Sequence, residues 1–196
     1  MTEPQMWDQL MAASRKGVAS ELEMARRYTE TFPDLPQGWI VLGKRLASVS
    51  RFSEAQAALR KAASLVAPTD RVHIASAWGA FYREKGNEKS SERWYRRAIA
   101  LRPNPALHIF LGAALARQGK FAEAKHHHAQ AIALARRGGK ASDEAHYNLG
   151  LILRAEGQYP AAVKHLKKAI QIDPRYTIAK EALRDVESAM QIRKAG

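Results

Sequence analysis

Three consecutive histidines, His126-His127-His128, are the residues best suited by type to bind a metal ion. Histidine is a frequent ligand of transition metals, but neighbouring residues of a helix point about 100° apart, so three in a row cannot converge on one ion. His128 also stands where leucine or tyrosine stands in the repeats described below, and similar reasoning makes His108 and His146 packing residues. We therefore predict no metal site and no cofactor.

The residue types that perform other common reactions do not occur in the required patterns. The chain has no cysteine, which excludes disulfides, thiolate metal sites and cysteine nucleophiles. It also lacks a GxSxG nucleophile motif and a glycine-rich phosphate-binding loop. We predict no catalytic residue, and we expect the protein to act by binding and not as an enzyme.

The charge of the chain indicates an acidic partner. The formal net charge is +13, and the excess of lysine and arginine lies in residues 36–142 and not in a tail. A basic folded surface attracts acidic proteins, nucleic acids or anionic membranes. No apolar run is long enough to span a bilayer, and the start MTEPQMWDQL lacks the features of a signal peptide. We therefore expect a cytoplasmic protein without a membrane span.

A repeated pattern of small and large apolar residues runs through most of the chain. In each repeat a large apolar residue precedes a glycine, a serine or glycine follows seven positions later, and an alanine follows at nineteen. Apolar positions three and four residues apart are typical of helices, and the intervening serine or glycine is typical of a turn. Each repeat is therefore predicted to be a helical hairpin that stacks on its neighbours. The four glycines are Gly43, Gly79, Gly112 and Gly150.

These units resemble the tetratricopeptide repeat, whose motif W-x-x-L-G-x-x-Y is followed by A, F, A and P. The resemblance covers residues 36–174 and implies an all-α fold, a right-handed α-solenoid of stacked helical hairpins, with a C-terminal helix that caps the last one. The residues that carry it are Trp39, Leu42, Gly43, Ala55 and Ala62 in one unit, and Leu111, Gly112, Gly119, Ala124 and Ala131 in another.

We expect a single domain over residues 1–196. Pro103 and Pro174 close their units at the family's position, Pro68 falls one residue late, and the third unit has no closing proline. Its continuation into Arg136-Arg137-Gly138-Gly139-Lys140 predicts a longer second helix or a mobile loop. The predicted parts are a degenerate hairpin at 5–33, repeat units at 36–68, 72–103, 105–137 and 143–174, and a capping helix at 175–193.

In this family the first helices of successive hairpins line a concave groove that binds peptides. Carried over by position, this groove has an apolar floor and a cationic rim, which suits a protein segment with apolar anchors and Asp or Glu. We therefore expect an adaptor or assembly scaffold. A chaperone C-terminus is not favoured, because only Lys44 and Asn148 fit the family's carboxylate clamp and they lie in different units. The implied groove residues are Ile40, Lys44, Arg83, Ile109, Phe110, Arg117, Tyr147, Asn148, Leu151 and Arg154.

Two other functions remain open from the sequence. The basic residues of the second helices could contact the phosphates of RNA or DNA, or another anionic surface, although they would equally keep that face soluble. The chain could also be the repeat module of a larger transferase-type enzyme, since similar arrays precede such domains. Self-association through an end hairpin or the insertion of the third unit is a further option.

Overall fold

The structure, a computed structural model, describes residues 2–67, 71–138 and 142–195. This part of the chain forms eleven α-helices and contains no strand. The prediction of an all-α fold built from helical hairpins is confirmed. The helices are α1 (Glu3–Ala13), α2 (Val18–Thr31), α3 (Pro36–Ser48), α4 (Phe52–Leu65), α5 (Val72–Glu84), α6 (Glu88–Leu101), α7 (Pro105–Arg117), α8 (Phe121–Arg137), α9 (Asp143–Ala155), α10 (Tyr159–Ile172) and α11 (Thr177–Ala195).

The helices group into two compact units, Met1–Arg102 and Pro103–Gly196. In the first unit, the hairpins α1–α2, α3–α4 and α5–α6 stack through contacts of α2 with α3 and of α3 with α5. In the second unit, the hairpins α7–α8 and α9–α10 stack through α8 and α9, and α11 packs on α10. Within each unit, stacking thereby buries apolar faces that a single hairpin would expose.

The residue seven positions after each repeat glycine forms the turn of its hairpin. Gly86, Gly119 and Gly157 have φ angles of 72°, 75° and 73°, and Ser50 has φ of 61° at the equivalent position. In each turn the next N–H donates to the carbonyl five residues earlier, for example from Asn87 to Tyr82 at 2.8 Å. This is the hydrogen bond of a Schellman motif, which ends a helix through a residue in the left-handed region.

The degenerate first hairpin is joined to α3 by polar contacts within a largely apolar interface. The hydroxyl of the buried Tyr28 donates to the carboxylate of Glu3, and the amide of Gln37 donates to Tyr28 at 3.0 Å and to Glu3 at 3.2 Å. Arg45 of α3 pairs with the buried Glu21 of α2 at 2.7 Å. These contacts between α1, α2 and α3 hold the hairpin against the regular repeats.

The lengths of the second helices of the last two hairpins agree with the sequence pattern. Helix α8 has 17 residues whereas α10 has 14, as predicted for the unit without a closing proline. Gly139 and Lys140, which belong to that prediction, lie outside the described residues, and so does Pro68.

Helix α11 buries Ala182 and Val186 against the core around Leu166. Among the described helices, none combines the length and the apolar character that crossing a bilayer requires.

Candidate functional site

In the first unit, α3 carries two of the predicted groove residues, and an apolar cavity lies against its N-terminal half. Ile40 is half-buried and lines this cavity, which has a volume of about 480 Å³ and which we call the α3 cavity. Arg102 and His73 add polar groups, with the guanidinium 3.3 Å from the imidazole Nε2. Lys44 lies one helical turn after Ile40 on the same face of α3. The main apolar lining residues are Trp7, Pro36, Ile40, Val41, Leu65 and Val66.

Lys44 lies close to two other positive charges, those of Arg45 and Arg83. Partial desolvation by the surrounding helices, followed by the charges of Arg45 and Arg83, lowers its pKa, while Glu21 acts in the opposite direction. Arg45 already pairs with Glu21 at 2.7 Å, and Arg83 pairs with the adjacent Glu84 at 2.6 Å. Within the described residues, Lys44 has no carboxylate at salt-bridge distance. Its ammonium group is therefore the cation of this cluster that a new anion would stabilise most.

In the second unit, most of the predicted groove residues reach the surface of α7 and α9, but Ile109 does not. Ile109 is 6% exposed and packs with Ala131 and Ala145 in the core between α7, α8 and α9. Its assignment to the groove was wrong, because the neighbouring hairpin covers this face of α7. The residues that do reach solvent are the half-buried Phe110, Tyr147, Asn148 and Leu151 and the exposed Arg117 and Arg154.

The capping helix approaches the same face of α9. Tyr176, directly before α11, has its ring centroid 5.2 Å from that of Tyr147, and Arg154 lies 3.4 Å from Asp185 of α11. Burial, followed by the charge of Glu144, raises the pKa of Tyr176 to about 12, so the phenol is neutral at physiological pH. Part of the predicted groove of the second unit is thus already in contact with α11.

Two histidine pairs, which the sequence reasoning missed, link the two helices of both hairpins in the second unit. The Nδ1 atoms of His108 and His127 are 3.0 Å apart, and so are those of His146 and His165. In each pair one histidine precedes the repeat glycine by four positions and the other follows it by fifteen. The repetition of this 19-residue separation in consecutive units is the signal that could have predicted the pairs.

The histidine run does not form a metal centre by itself. His128 is completely buried, with its ring against Gly112, as predicted for a packing residue. In residues 2–67, 71–138 and 142–195, no group of three or more His, Asp or Glu side chains is arranged to hold a metal ion. The run therefore places one imidazole in the core, one in a pair with α7 and one, His126, at the surface.

Two of the basic side chains on the outer face of α6 already have interaction partners within the same helix. Arg96 bonds to Glu92 one turn earlier, and the guanidinium of Arg97 lies 5.3 Å from the ring centre of Trp94. Trp94 in turn stacks on Trp78 at 5.9 Å with an interplanar angle of 23°. This ring is thus already held between Trp78 and Arg97, an arrangement that stabilises the hairpin α5–α6.

Comparison with known proteins identifies one family. Two family models, both described as tetratricopeptide repeat, match residues 79–105 and 104–175. No curated protein sequence matches the chain. The two matches cover the part of the repeat frame that runs from Gly79 through Gly112 and Gly150.

Solved structures of similar fold share little sequence with this chain. A thermophilic TPR protein from Thermus thermophilus is similar with a TM-score of 0.78 at 18% identity, covering 94% of this chain and 98% of that one. The APC/C hetero-tetramer Cut9–Hcn1 gives 0.73 at 16% identity, covering 89% of this chain but only 34% of the longer one. The first TPR of Spaghetti (RPAP3), bound to the HSP90 peptide SRMEEVD, gives 0.58 at 22% identity, covering 64% and 99%. These similarities confirm the α-solenoid class of fold.

Proposed function

Because the chain is a tetratricopeptide repeat protein, we propose that it is a protein-protein interaction adaptor or assembly scaffold that binds an acidic, partly apolar peptide segment. In the first unit, the surface for this segment consists of the α3 cavity and Lys44. The proposal rests on the surroundings of Lys44. This lysine lies near other cations and has no carboxylate partner in the described part of the chain, and it is one helical turn from Ile40, which lines the α3 cavity.

The α3 cavity and Lys44 suit two different parts of one peptide. An aliphatic or aromatic side chain that leaves water for the cavity contributes about 1.5–3 kcal/mol, less the cost of ordering the peptide. An Asp or Glu a few residues away would meet Lys44 and relieve its repulsion with Arg45 and Arg83. The apolar contact would supply most of the affinity, and the charge would select acidic over basic segments.

The first helices of the second unit repeat this combination of an apolar and a cationic side chain. Phe110 and Arg117 lie two turns apart on α7, and Leu151 and Arg154 lie one turn apart on α9. Arg154 has Asp185 within 3.4 Å, but both side chains are largely exposed, so this ion pair is weak and a peptide carboxylate can compete for it. We propose that each unit offers its own short binding surface of this composition.

A structural neighbour supports the choice of an acidic peptide. The first TPR of Spaghetti (RPAP3) is bound to the peptide SRMEEVD, which contains three acidic residues. The present chain has Lys44 and Asn148 in different units, so its recognition of acidic side chains would rest on the cation cluster of α3 and α5 and not on a carboxylate clamp. The expected ligand is therefore an internal acidic segment.

We expect the Lys44→Glu variant to bind such peptides at least tenfold more weakly than the wild type. The substitution replaces an attraction of about 1 kcal/mol with a repulsion of about the same size at the site of the peptide carboxylate, so the total change in binding free energy is about 2 kcal/mol. Ligands can be selected from a randomised displayed peptide library with the wild-type chain. Their affinities are then measured by fluorescence anisotropy for both proteins.

The matched control is Arg93→Glu, which makes the same charge change on the exposed outer face of α6. It should leave the peptide affinity within about twofold of the wild type, because only the local charge and not the net charge matters at physiological salt. Equal weakening by both variants would mean that peptides bind through the overall positive charge. Selected peptides without Asp or Glu would also contradict the proposal.

A further inference from the structure

A pocket on the outer side of the last hairpin is lined by basic and neutral polar side chains only. It lies against α10, has a volume of about 590 Å³, and we call it the α10 pocket. Helix α10 itself contains no Asp or Glu. None of the groove residues discussed above lines the pocket, so it is separate from the proposed peptide surface. The lining residues are His146, Lys164, His165, Lys167, Lys168 and Gln171.

The histidine pair supplies hydrogen-bond donors at this pocket. The Nδ1 atoms of His146 and His165 are 3.0 Å apart, so one imidazole donates through Nδ1 and the other accepts. The accepting ring, when neutral, must carry its proton on Nε2. At least one Nε2–H donor therefore remains on the pair. Burial, followed by the charges of His165 and Lys168, lowers the pKa of His146 to about 4, so this imidazole is neutral at physiological pH.

Two of the three lysines keep their positive charge available at the pocket. Lys168 is positioned by the side-chain oxygen of Gln171 at 3.0 Å, a neutral partner that does not cancel its charge. Lys164 has no carboxylate at salt-bridge distance among the described residues. Burial, followed by the charge of Lys164, lowers the pKa of His165. Lys167 differs, because Glu187 of α11 lies 3.3 Å away and compensates it.

The preceding hairpin carries the same histidine pair without these charges. His127 of α8 is the counterpart of His165, and the residues at the positions of Lys164 and Lys168 are His126 and Gln130. One turn before the histidine, α8 has Glu123 where α10 has Ala161. The two lysines and the missing glutamate therefore distinguish the α10 pocket from its counterpart, although the two histidine pairs have the same Nδ1 separation.

We propose that the α10 pocket binds a phosphate-class dianion, either a free phosphate compound or a phosphate monoester, through Lys164, Lys168 and the His146–His165 pair. Lysine binds phosphate as a point charge, and the imidazole N–H adds a directed hydrogen bond. A dianion gains about twice the Coulomb energy of a carboxylate from the same two ammonium groups. A dianion can therefore displace the water that otherwise hydrates these exposed lysines more readily than a carboxylate can.

The test exchanges the residues that differ between the two hairpins. The double variant Lys164→His and Lys168→Gln gives α10 the side chains that α8 has at these positions. Wild type and variant are titrated with inorganic pyrophosphate and with O-phosphoserine in 150 mM sodium chloride, and binding is followed by the C2–H resonances of the histidines. We expect saturable shifts in the wild type and at least tenfold weaker binding in the variant. Pyrophosphate binding alone would assign the pocket to free anions, whereas phosphoserine binding would assign it to monoesters.

Two further variants separate a built site from general attraction. Arg93→Gln with Arg97→Gln removes the same number of positive charges from α6 and should bind as the wild type does. The reverse exchange, His126→Lys and Gln130→Lys together with Glu123→Ala, should create phosphate binding at the His108–His127 pair. Unsaturable binding in the wild type, or equal weakening by the α6 control, would overturn the proposal. So would tighter binding of a single-stranded oligonucleotide than of pyrophosphate at equal phosphate concentration.

Discussion

We expect the His128→Leu variant to be about 1–3 kcal/mol more stable than the wild type at neutral pH. His128 is completely buried, and both of its ring nitrogens lack a hydrogen-bond partner among the described residues. A buried polar group without a partner costs roughly 1–3 kcal/mol relative to its hydrated state. Leucine fits this position, because Leu59 and Leu166 are the fully buried counterparts of His128 in two other hairpins.

The same variant should lose part of the sensitivity of the wild type to acid. Burial, followed by the charge of His127, lowers the pKa of His128 from 6.5 to about 4 in the folded state. Between these pH values the unfolded chain binds more protons than the folded chain, so acid favours unfolding. The stability of the wild type is therefore unaffected by the titration of His128 above about pH 6.5 and is lowered by it as the pH falls towards 4. For a group this deeply buried, the shift corresponds to at most about 3 kcal/mol.

Urea denaturation at pH 7.5 and pH 4.5 in phosphate-free buffers checks both expectations. Far-UV circular dichroism is the appropriate probe, because all four tryptophans lie in the first unit and their fluorescence does not report directly on α8. His126→Leu changes the exposed neighbour and should alter neither the stability nor its pH dependence by more than about 0.5 kcal/mol. A His128→Leu protein with the same pH dependence as the wild type would show that His128 stays hydrated or finds a partner.

The fold could be predicted because the repeat frame constrains both helices of a hairpin at once. At Gly43 and Gly150 an added Cβ would lie 3.3 Å and 3.4 Å from the backbone carbonyl of the alanine twelve residues later, so the two helices approach closely there, and the left-handed residue between them sets their connection. Ser50 shows how strong this pattern is, since it adopts φ of 61° where the other three units use glycine. The missing proline likewise predicted either a longer second helix or a mobile loop, and α8 is the longer helix.

The contacts between side chains could be predicted less well, because a family position does not determine what the neighbouring helix covers. Ile40 and Ile109 both precede their repeat glycine by three residues, yet Ile40 lines a cavity whereas Ile109 packs against Ala131 and Ala145. Adjacent histidines of one helix point in different directions, but each of them can still meet a histidine of the partner helix. His127 and His165 pair with histidines that lie 19 residues earlier in the chain.

The surface of α9 was also predicted incompletely. The repeat pattern places Tyr147 and Arg154 on the groove side, and α11 was expected only to cover the last hairpin. In the structure, Tyr176 contacts Tyr147 and Asp185 lies near Arg154, so the segment that caps the core also modifies the candidate site. No repeat consensus describes these residues, because Tyr176 and α11 follow the last matched repeat unit.

Substitution of the repeat glycine Gly79 by alanine should destabilise the first unit by about 1–3 kcal/mol, although alanine is the better helix former by about 1 kcal/mol. A Cβ atom at Gly79 would lie 2.6 Å from the ring of Tyr95, a rigid aromatic side chain that is completely buried. The Oγ of Ser91 donates to the carbonyl of Gly79 at 2.9 Å and keeps this part of α5 close to α6. Steric strain therefore outweighs helix propensity.

The chain itself suggests how to relieve this strain. At Gly150 the added Cβ would meet Leu166, whose branched end can adjust more easily than an aromatic ring, so Gly150→Ala should cost less than Gly79→Ala. Combining Gly79→Ala with Tyr95→Leu reproduces the leucine found opposite Gly43 and Gly150, and the double variant should be more stable than the sum of the two single changes predicts. Tryptophan fluorescence follows this unfolding, because Trp78 and Trp94 adjoin the two mutated positions. Equal stability of Gly79→Ala and the wild type would instead mean that α5 and α6 can separate at this point without cost, and that glycine here is not required for packing.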